Sequence, residues 1–169
     1  MPRVILQPAG GPAAAAHFNK TIRRPVALPD ILQFVTDEDA RELRALYPSG
    51  AARVWGVTAG ENFRNKRKWE RIEPGDVVLF CGSGEAFAYA FVKRKLHCRP
   101  LAIELWDRDA KGQTWEYIYF VSEPLTHSIR YDRLARVLEF SPDYVVLGFT
   151  VLDEEKSAKV LEEFDLVDN

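Results

Sequence analysis

The sequence predicts an α+β fold, in which a curved sheet or small barrel of about six strands is flanked by helices. Short apolar runs rich in β-branched and aromatic residues predict the strands. Glycine-containing turns join several of these runs as hairpins, and segments with helical spacing of apolar residues lie before and after them. At 169 residues and 47% hydrophobic composition, we expect one domain, residues 1–169, with a sizeable core.

The first third of the chain predicts one strand and two helices. Residues 3–7 form an apolar run that Pro8 stops, and a Gly-Gly-Pro turn then leads into an alanine-rich helix over residues 13–18. Thr36 or Asp37 caps the second helix, and the Pro-Ser-Gly sequence at 48–50 closes it. We interpret both helices as scaffold.

Residues 54–91 organise the rest of the prediction. A buried strand at 54–57 turns at Ala59-Gly60 into a basic helical segment, and a Pro-Gly-Asp turn at 74–76 precedes a second buried strand at 77–80. A tight turn at 81–84 then leads into a return strand at 87–92, so that these two strands form a hairpin.

The second half predicts three strands and two helices. We expect strands at 101–106, 114–121 and 144–151, with a polar loop at 107–112 and a helix over residues 128–138. The C-terminal helix begins at Asp153 with an acidic first turn, which complements the helix dipole. Its buried face is predicted to hold Ala158, Leu161 and Phe164.

Cysteine and histidine usage predicts neither a disulfide scaffold nor a metal centre. Cys81 and Cys98 have no CxxC spacing, and the three histidines stand apart. No apolar run approaches the ~18–20 residues of a membrane span, and the N-terminus lacks a signal-peptide core. We therefore expect a cytoplasmic protein with no metal, no cofactor and no membrane partner.

Charge is unevenly distributed along the chain. Residues 53–100 carry ten Lys or Arg against five Asp or Glu, whereas residues 151–169 carry two against seven. A basic face on a protein of net charge -2 could attract a polyanion. The candidate phosphate-binding residues, which could equally form a solvated surface, are Arg64, Lys66, Arg67, Lys68, Lys93, Arg94, Lys95 and Arg99.

Two tryptophans are candidates for a binding pocket. Trp55 and Trp106 each end a predicted strand, and a pair of flat apolar walls could hold a nucleobase taken out of its stack. The alternative is that they belong to the core, the role that we assign to Trp69 and Trp115. Polar groups predicted near these walls, which could also serve only as turn and cap residues, are Thr58, Asn62 and Ser83.

One pattern suggests a nuclease. Pro142-Asp143 followed by Glu154, Glu155 and Lys156 matches the PD…ExK arrangement of metal-dependent nucleases. That chemistry requires the Glu and Lys on a strand beside the Asp, but here they open a predicted helix. Without a catalytic triad or a phosphate-binding loop either, the chain resembles a reader and not a catalyst.

The central residues resemble the EVE domains, relatives of the YTH and PUA folds. The resemblance covers roughly residues 53–131, and the segments that carry it are 54–58, Asn62, Trp69, 74–76, 79–83, 87–91, 105–106, 112–113, 117–121 and 123–124. It implies a PUA-like fold in which Trp55 is the first aromatic of a base cage and Trp106 the second wall. Ser83 would lie in the turn that approaches the base. Gly56 replaces the serine of the YTH pattern, so only a backbone contact is possible there.

The flanking segments resemble those around such domains in modification-dependent restriction endonucleases of the EVE-HNH type. The resemblance implies a module that flips a modified base, either 5-methylcytosine or 5-hydroxymethylcytosine first and N6-methyladenine second, in double-stranded DNA. The nuclease would be a domain or subunit outside this chain, because no HNH motif is present. Two alternatives remain open: a PUA-like module for modified RNA, and a small nuclease using Asp143, Glu154 and Lys156.

Overall fold

A computed structural model describes residues 1–168, in which eight strands form one sheet. Its order is β2-β3-β6-β5-β4-β1-β8, with β7 paired to β5. The pairing is antiparallel except between β1 and β4. The strands are β1 Val4–Pro8, β2 Val26–Ala27, β3 Ala51–Val57, β4 Val77–Gly82, β5 Glu85–His97, β6 Tyr117–Val121, β7 Leu125–Arg130 and β8 Thr150–Val151.

Within residues 1–168, seven α-helices surround the sheet. Helix α1 passes directly into a π-helical turn over Phe18–Arg23, and a 3₁₀ turn over Glu61–Phe63 precedes α4. No helix in residues 1–168 is long and apolar enough to cross a membrane. The helices are α1 Pro12–His17, α2 Leu28–Leu32, α3 Asp37–Leu46, α4 Arg64–Glu70, α5 Arg99–Trp106, α6 Tyr131–Leu138 and α7 Glu154–Phe164.

The sheet is buried on both faces. Alternate residues of each central strand point to opposite sides and join different hydrophobic clusters. In β3, Ala52 and Val54 pack with α2, α3 and α5, whereas Trp55 and Val57 join a different cluster. That second cluster also contains Ile5 of β1, although three strands separate β1 from β3 in the sheet. The sheet therefore curves until its distant strands share one core, and α6 and α7 cover β1 and β4 from outside.

The prediction of an α+β fold with a curved sheet is confirmed, and the described residues form eight strands instead of about six. The strands predicted at 54–57 and 77–80 and the hairpin to β5 are present. Thr36 caps α3 by accepting a hydrogen bond from the Asp39 amide at 3.1 Å. Asp153 caps α7 in the same way through the Lys156 amide at 2.8 Å.

The strand predicted at 101–106 is wrong, because this segment is helix α5. Pro100 lies in the first helical turn, where its missing amide hydrogen is not needed. The buried residues of α5 recur at helical spacing and are Leu101, Ala102, Leu105 and Trp106. In so short an apolar run, this spacing cannot be distinguished from that of a buried strand. Trp106 therefore ends a helix, not a strand.

Three other boundaries and the buried face of α7 also differ from the prediction. Residues 128–130 belong to the mostly exposed strand β7, so α6 begins only at Tyr131, and β6 begins at Tyr117 instead of residue 114. The final strand is limited to Thr150–Val151, because Val145 and Leu147 before it are exposed and unpaired with the sheet. In α7, Ser157 and Val160 are buried with Phe164, whereas Ala158 and Leu161 are only partly buried.

Candidate functional site

A cavity of about 230 Å³ opens where β1 and β3 approach each other beneath α1. The curvature of the sheet brings these two strands together, and the loops before β6 and β8 complete the walls. The lining residues are Gln7 and Pro8 of β1, Ala13, Ala14 and His17 of α1, Trp55, Gly56 and Val57 of β3, Thr58, Asn65 of α4, Trp115 and Phe149.

Gly56 allows two tryptophans to pack against β3. A Cβ atom at this position would lie 2.2 Å from the Trp115 carbonyl oxygen and 2.7 Å from Cζ3 of Trp106. No side chain fits so close to backbone, and glycine is therefore required here for steric reasons. Trp106 lies behind Gly56 and does not line the cavity, whereas Trp115 does.

Trp55 forms a wall of the cavity while most of its surface is buried in the core. It is 3% exposed and packs edge-on against Phe80, with ring centroids 5.4 Å apart. The indole N–H groups of Trp55 and Trp106 are both buried and have no acceptor within residues 1–168. A buried donor without a partner is costly, and such groups are often found at functional sites.

His17 and Trp115 form another part of the cavity wall. The two rings meet edge-on at 4.4 Å, and His17 also lies 5.6 Å from the ring of Trp106. Burial, assisted by the positive charge of Lys20, lowers the pKa of His17 to about 4. The imidazole is therefore neutral at pH 7, so that one ring nitrogen can accept a hydrogen bond and the other can donate.

Gln7 supplies a polar group to the cavity from β1. Its side-chain carbonyl oxygen accepts a hydrogen bond from the hydroxyl of Tyr119 at 2.8 Å, and its Nε2 donates to the carbonyl of Pro8 at 3.1 Å. Gln7 is only 5% exposed, which is unusual for glutamine. This residue was not a candidate from the sequence, because its partner lies more than 100 residues away.

The loop after β3 bends sharply beside the cavity. Gly60 has a φ of 76°. Asn62 and Phe63, which follow shortly after it, also have left-handed backbone conformations, with φ of 53° and 58°. Left-handed residues other than glycine carry strain that tends to occur at functional sites. The bend places Asn65 in the cavity wall and leaves Phe63 59% exposed.

The structure brings together only part of the predicted pocket. Trp55, Gly56 and Thr58 line the cavity, and Trp106 supports it from behind. Asn62 is exposed and does not line it. Ser83 lies in the β4–β5 turn, which packs against Gly10 outside the cavity.

The basic residues of α4 lie next to the cavity and differ in how far they are engaged. Arg64 and Arg67 are exposed, although Arg67 donates to the carbonyl of Asn62 at 2.7 Å. Lys68 donates to the carbonyl of the lining residue Phe149 at 2.6 Å, and burial lowers its pKa, with Arg64 and Arg71 adding to this effect. Lys66 lies 3.9 Å from Glu70.

The second predicted basic cluster is largely engaged within the protein. Arg94 pairs with Asp39 at 2.6 Å, and Arg99 pairs with Glu116 at 2.7 Å. Lys95 donates to the carbonyl of Glu70 at 2.7 Å, with its ammonium over the ring of Trp69. Lys93 lies 3.7 Å from Asp168. These contacts favour a structural role for most of this cluster over a role in phosphate binding.

Most of the lining was not predicted from the sequence. The polar or aromatic residues among those missed are Gln7, His17, Asn65 and Phe149, and Trp115 was assigned to the core. The clearest available signal was His17, a polar ring in an otherwise alanine-rich helix. For Trp115 the signal was its position near the start of a predicted strand, shortly after a polar loop, whereas Trp106 was favoured because it precedes that loop.

The residues of the PD…ExK pattern are divided between a loop and helix α7. Asp143 is exposed in a loop and accepts a hydrogen bond from Ser141, whereas Glu154 and Lys156 lie in the first turn of α7, where Lys156 pairs with Asp153. Residues 1–168 contain no group of three or more His, Cys, Asp or Glu that could hold a metal ion.

Comparison with known proteins gives a structural match only. No protein-family model matches the chain. The search of curated proteins also found no significant match. Among solved structures, the chain is similar to the N-terminal domain of Thermococcus gammatolerans McrB bound to m5C DNA, with a TM-score of 0.68 and 16% identity. The match covers 96% of this chain and 97% of that one, so it supports the α+β, PUA-like fold over nearly the whole length.

Proposed function

We propose that this chain binds double-stranded DNA carrying a modified base and holds the flipped base in the cavity between β1 and β3. The observation that carries the proposal is the cavity itself. At about 230 Å³ it is smaller than the ~300–1,000 Å³ typical of sites for drug-sized ligands. A flipped base in this cavity could stack on the rings of Trp55, Trp115 and neutral His17.

The polar groups of the cavity suit the edge of a base. Gln7 of β1, Thr58 of the loop after β3 and Asn65 of α4 converge on one small space. A few placed donors and acceptors among apolar walls are what give a small-molecule site its specificity. The side of α4 that carries Arg64 and Arg67 would hold phosphates beside the cavity, and exposed Phe63 could contact the bases.

We propose modified cytosine, either 5-methylcytosine or 5-hydroxymethylcytosine, as the first ligand and N6-methyladenine as the second. The structural neighbour is bound to m5C DNA, which supports the first choice. The resemblance of residues 53–131 to EVE and YTH domains supports base flipping. In this proposal the chain is the specificity module of a modification-dependent restriction system, and the nuclease is a separate domain or subunit.

The test is a binding panel at fixed salt. One duplex sequence is prepared unmodified and with 5-methylcytosine, 5-hydroxymethylcytosine or N6-methyladenine, next to RNA of the same sequence and modification. Preference for one modified duplex supports the proposal and identifies its ligand. Preference for modified RNA would favour the alternative of an RNA-binding module. Equal binding to all probes, lost at higher salt, would contradict base reading.

The variant Trp115→Ala tests the cavity directly. We expect it to weaken binding of the preferred modified duplex by about 1–3 kcal/mol, because one stacking surface is lost. Trp69→Ala is the matched control: this tryptophan is also partly buried but packs on Tyr117 outside the cavity. Equal losses in the two variants, with both folded by circular dichroism, would contradict the assignment. Trp55→Ala is less suitable, since truncating so buried a side chain costs about 3–5 kcal/mol of stability.

A further inference from the structure

The hydrogen bonds around Gln7 fix the orientation of its side-chain amide. Tyr119 is fully buried, and in residues 1–168 its hydroxyl has Gln7 as its hydrogen-bond partner. Burial raises the pKa of this phenol well above its ordinary value of 10, so that it keeps its proton and donates it. The Gln7 oxygen must therefore face Tyr119.

The other side of the amide leads to the same orientation. Nε2 of Gln7 lies 3.1 Å from the carbonyl oxygen of Pro8. If the amide were rotated by half a turn, two oxygen acceptors would face each other there, and Nε2 would face the Tyr119 hydroxyl. The phenol oxygen could accept from Nε2, but its own hydrogen would have no acceptor, and the oxygen–oxygen contact at Pro8 would be repulsive.

With this orientation the amide has one N–H group left over. Of its two N–H groups, one donates to Pro8, and the oxygen is engaged by Tyr119. Gln7 lines the cavity while being only 5% exposed, and within residues 1–168 its Nε2 has Pro8 as its one acceptor. A buried donor that is held in place selects ligands that present an acceptor to it.

We infer that Gln7 is a specificity-determining residue that donates a hydrogen bond to a ring nitrogen or carbonyl oxygen of the bound base, and that Tyr119 is the positioning residue that aims it. This inference rests on the proposed function, because the ligand is taken to be a flipped base. Cytosine offers N3 and O2 as acceptors on the edge that is freed when the base leaves its pair. Stacking against Trp55 and Trp115 provides affinity, whereas Gln7 reads the edge.

The inference is tested with Gln7→Glu and Gln7→Met in the full chain. Glutamate keeps the shape but replaces the donor with a carboxylate, and methionine keeps the length without any hydrogen bond. Both variants are expected to bind the preferred modified duplex about tenfold more weakly or worse, because the base acceptor loses its partner. Binding to the unmodified duplex is measured in parallel, so that the loss is expressed as a change in the ratio of the two affinities.

Tyr119→Phe separates positioning from direct contact. It removes only the hydroxyl, and we expect the preference for the modified duplex to fall by a smaller factor, roughly threefold to tenfold, as the amide becomes free to rotate. In a Gln7→Met background the same change should have no further effect on this preference. If Tyr119 had a purely structural role, Tyr119→Phe would lower the preference for the modified duplex by the same factor in the wild-type and the Gln7→Met backgrounds. That result would overturn the inference.

The outcomes for the inference and for the proposed function are distinct. If the wild-type protein prefers no modified duplex, the proposed function fails before any variant is compared. If the wild type shows the preference and folded Gln7→Glu and Gln7→Met retain it, then Gln7 does not read the base and only the inference is wrong. Thermal unfolding of every variant identifies losses that come from misfolding.

Discussion

At the scale of single residues, the site depends on groups that are buried more deeply than their chemistry favours. Gln7 is 5% exposed, the indole nitrogen of Trp55 is buried without a partner in residues 1–168, and His17 is partly buried with a lowered pKa. Each raises the free energy of the empty cavity. A ligand that pairs with them gains affinity from the same groups, which is a common basis of specificity in small pockets.

His17 gives a pH dependence of stability that can be measured without a ligand. Its pKa is about 4 in the folded protein against 6.5 ordinarily, so between these values the unfolded chain binds a proton that the native protein does not. This contribution is constant above about pH 6.5 and lowers stability as the pH falls towards 4. Urea unfolding should therefore show His17→Asn gaining stability relative to wild type between pH 7.5 and pH 5.

The comparison with His17→Asn cancels the effect of every other titrating group. If the difference in unfolding free energy between the two proteins is the same at both pH values, the imidazole is protonated as easily in the native state as in the unfolded chain. Burial against Trp115 would then be contradicted.

The residue scale also shows what the sequence could not predict. The apolar run around Trp55 correctly predicted a buried strand, and Gly56 was identified as a position without a side-chain contact. The reason for the glycine is contact with Trp115 and Trp106, which lie 50 or more residues further along the chain. Partners of this kind depend on the tertiary fold, and local sequence patterns carry no record of them.

At the scale of elements, prediction succeeded where a pattern was long or had a clear boundary. The β4–β5 hairpin, α4 and the capped helix α7 have turn or cap residues that act locally. The prediction of α5 failed because six mostly apolar residues fit both the helical and the strand period. The prediction of β7 failed because a mostly exposed edge strand has no alternation of apolar and polar residues.

The two basic elements should contribute unequally to DNA binding. Arg64→Ala and Arg67→Ala on α4 are each expected to weaken binding to modified and unmodified duplex alike, and to reduce the slope of log K against log salt by about 1. Both side chains are exposed next to the cavity. Titrations at four salt concentrations measure the slope.

Arg99→Ala is the control for this prediction, since its guanidinium is held by Glu116 and by the carbonyl of Gly112. We expect its salt slope to equal that of the wild type. A reduction as large as that for Arg64→Ala would mean that the basic face extends to α5, as the sequence alone had suggested.

At the scale of the whole molecule, a buried serine joins the two ends of the fold. Ser157 of α7 is fully buried, and its hydroxyl accepts a hydrogen bond from the Val4 amide at 2.9 Å and donates to the Leu152 carbonyl at 3.3 Å. Ser157→Ala should therefore lower the free energy of unfolding by about 1–3 kcal/mol, because the Val4 amide loses its partner. Chemical denaturation measures this loss.

Ser128→Ala is the matched control. Its hydroxyl also makes a hydrogen bond, to Glu85 at 2.7 Å, but on the exposed surface of β7, where a substitution should change stability by no more than about 0.5 kcal/mol. If both serine variants unfold at the denaturant concentration of the wild type, the contact between α7 and β1 does not stabilise the fold.

The position of β1 between β4 and β8 also affects how the protein is made. Val4 pairs with Val77, and Ile5 pairs with Val151, so β1 leaves the ribosome 73 residues before its first partner and 146 residues before its second. At a synthesis rate of ~5–20 residues per second, β4 is made roughly 4–15 s after β1. During that interval its apolar residues are open to chaperones and to aggregation, and the cavity cannot form until Phe149 has been synthesised.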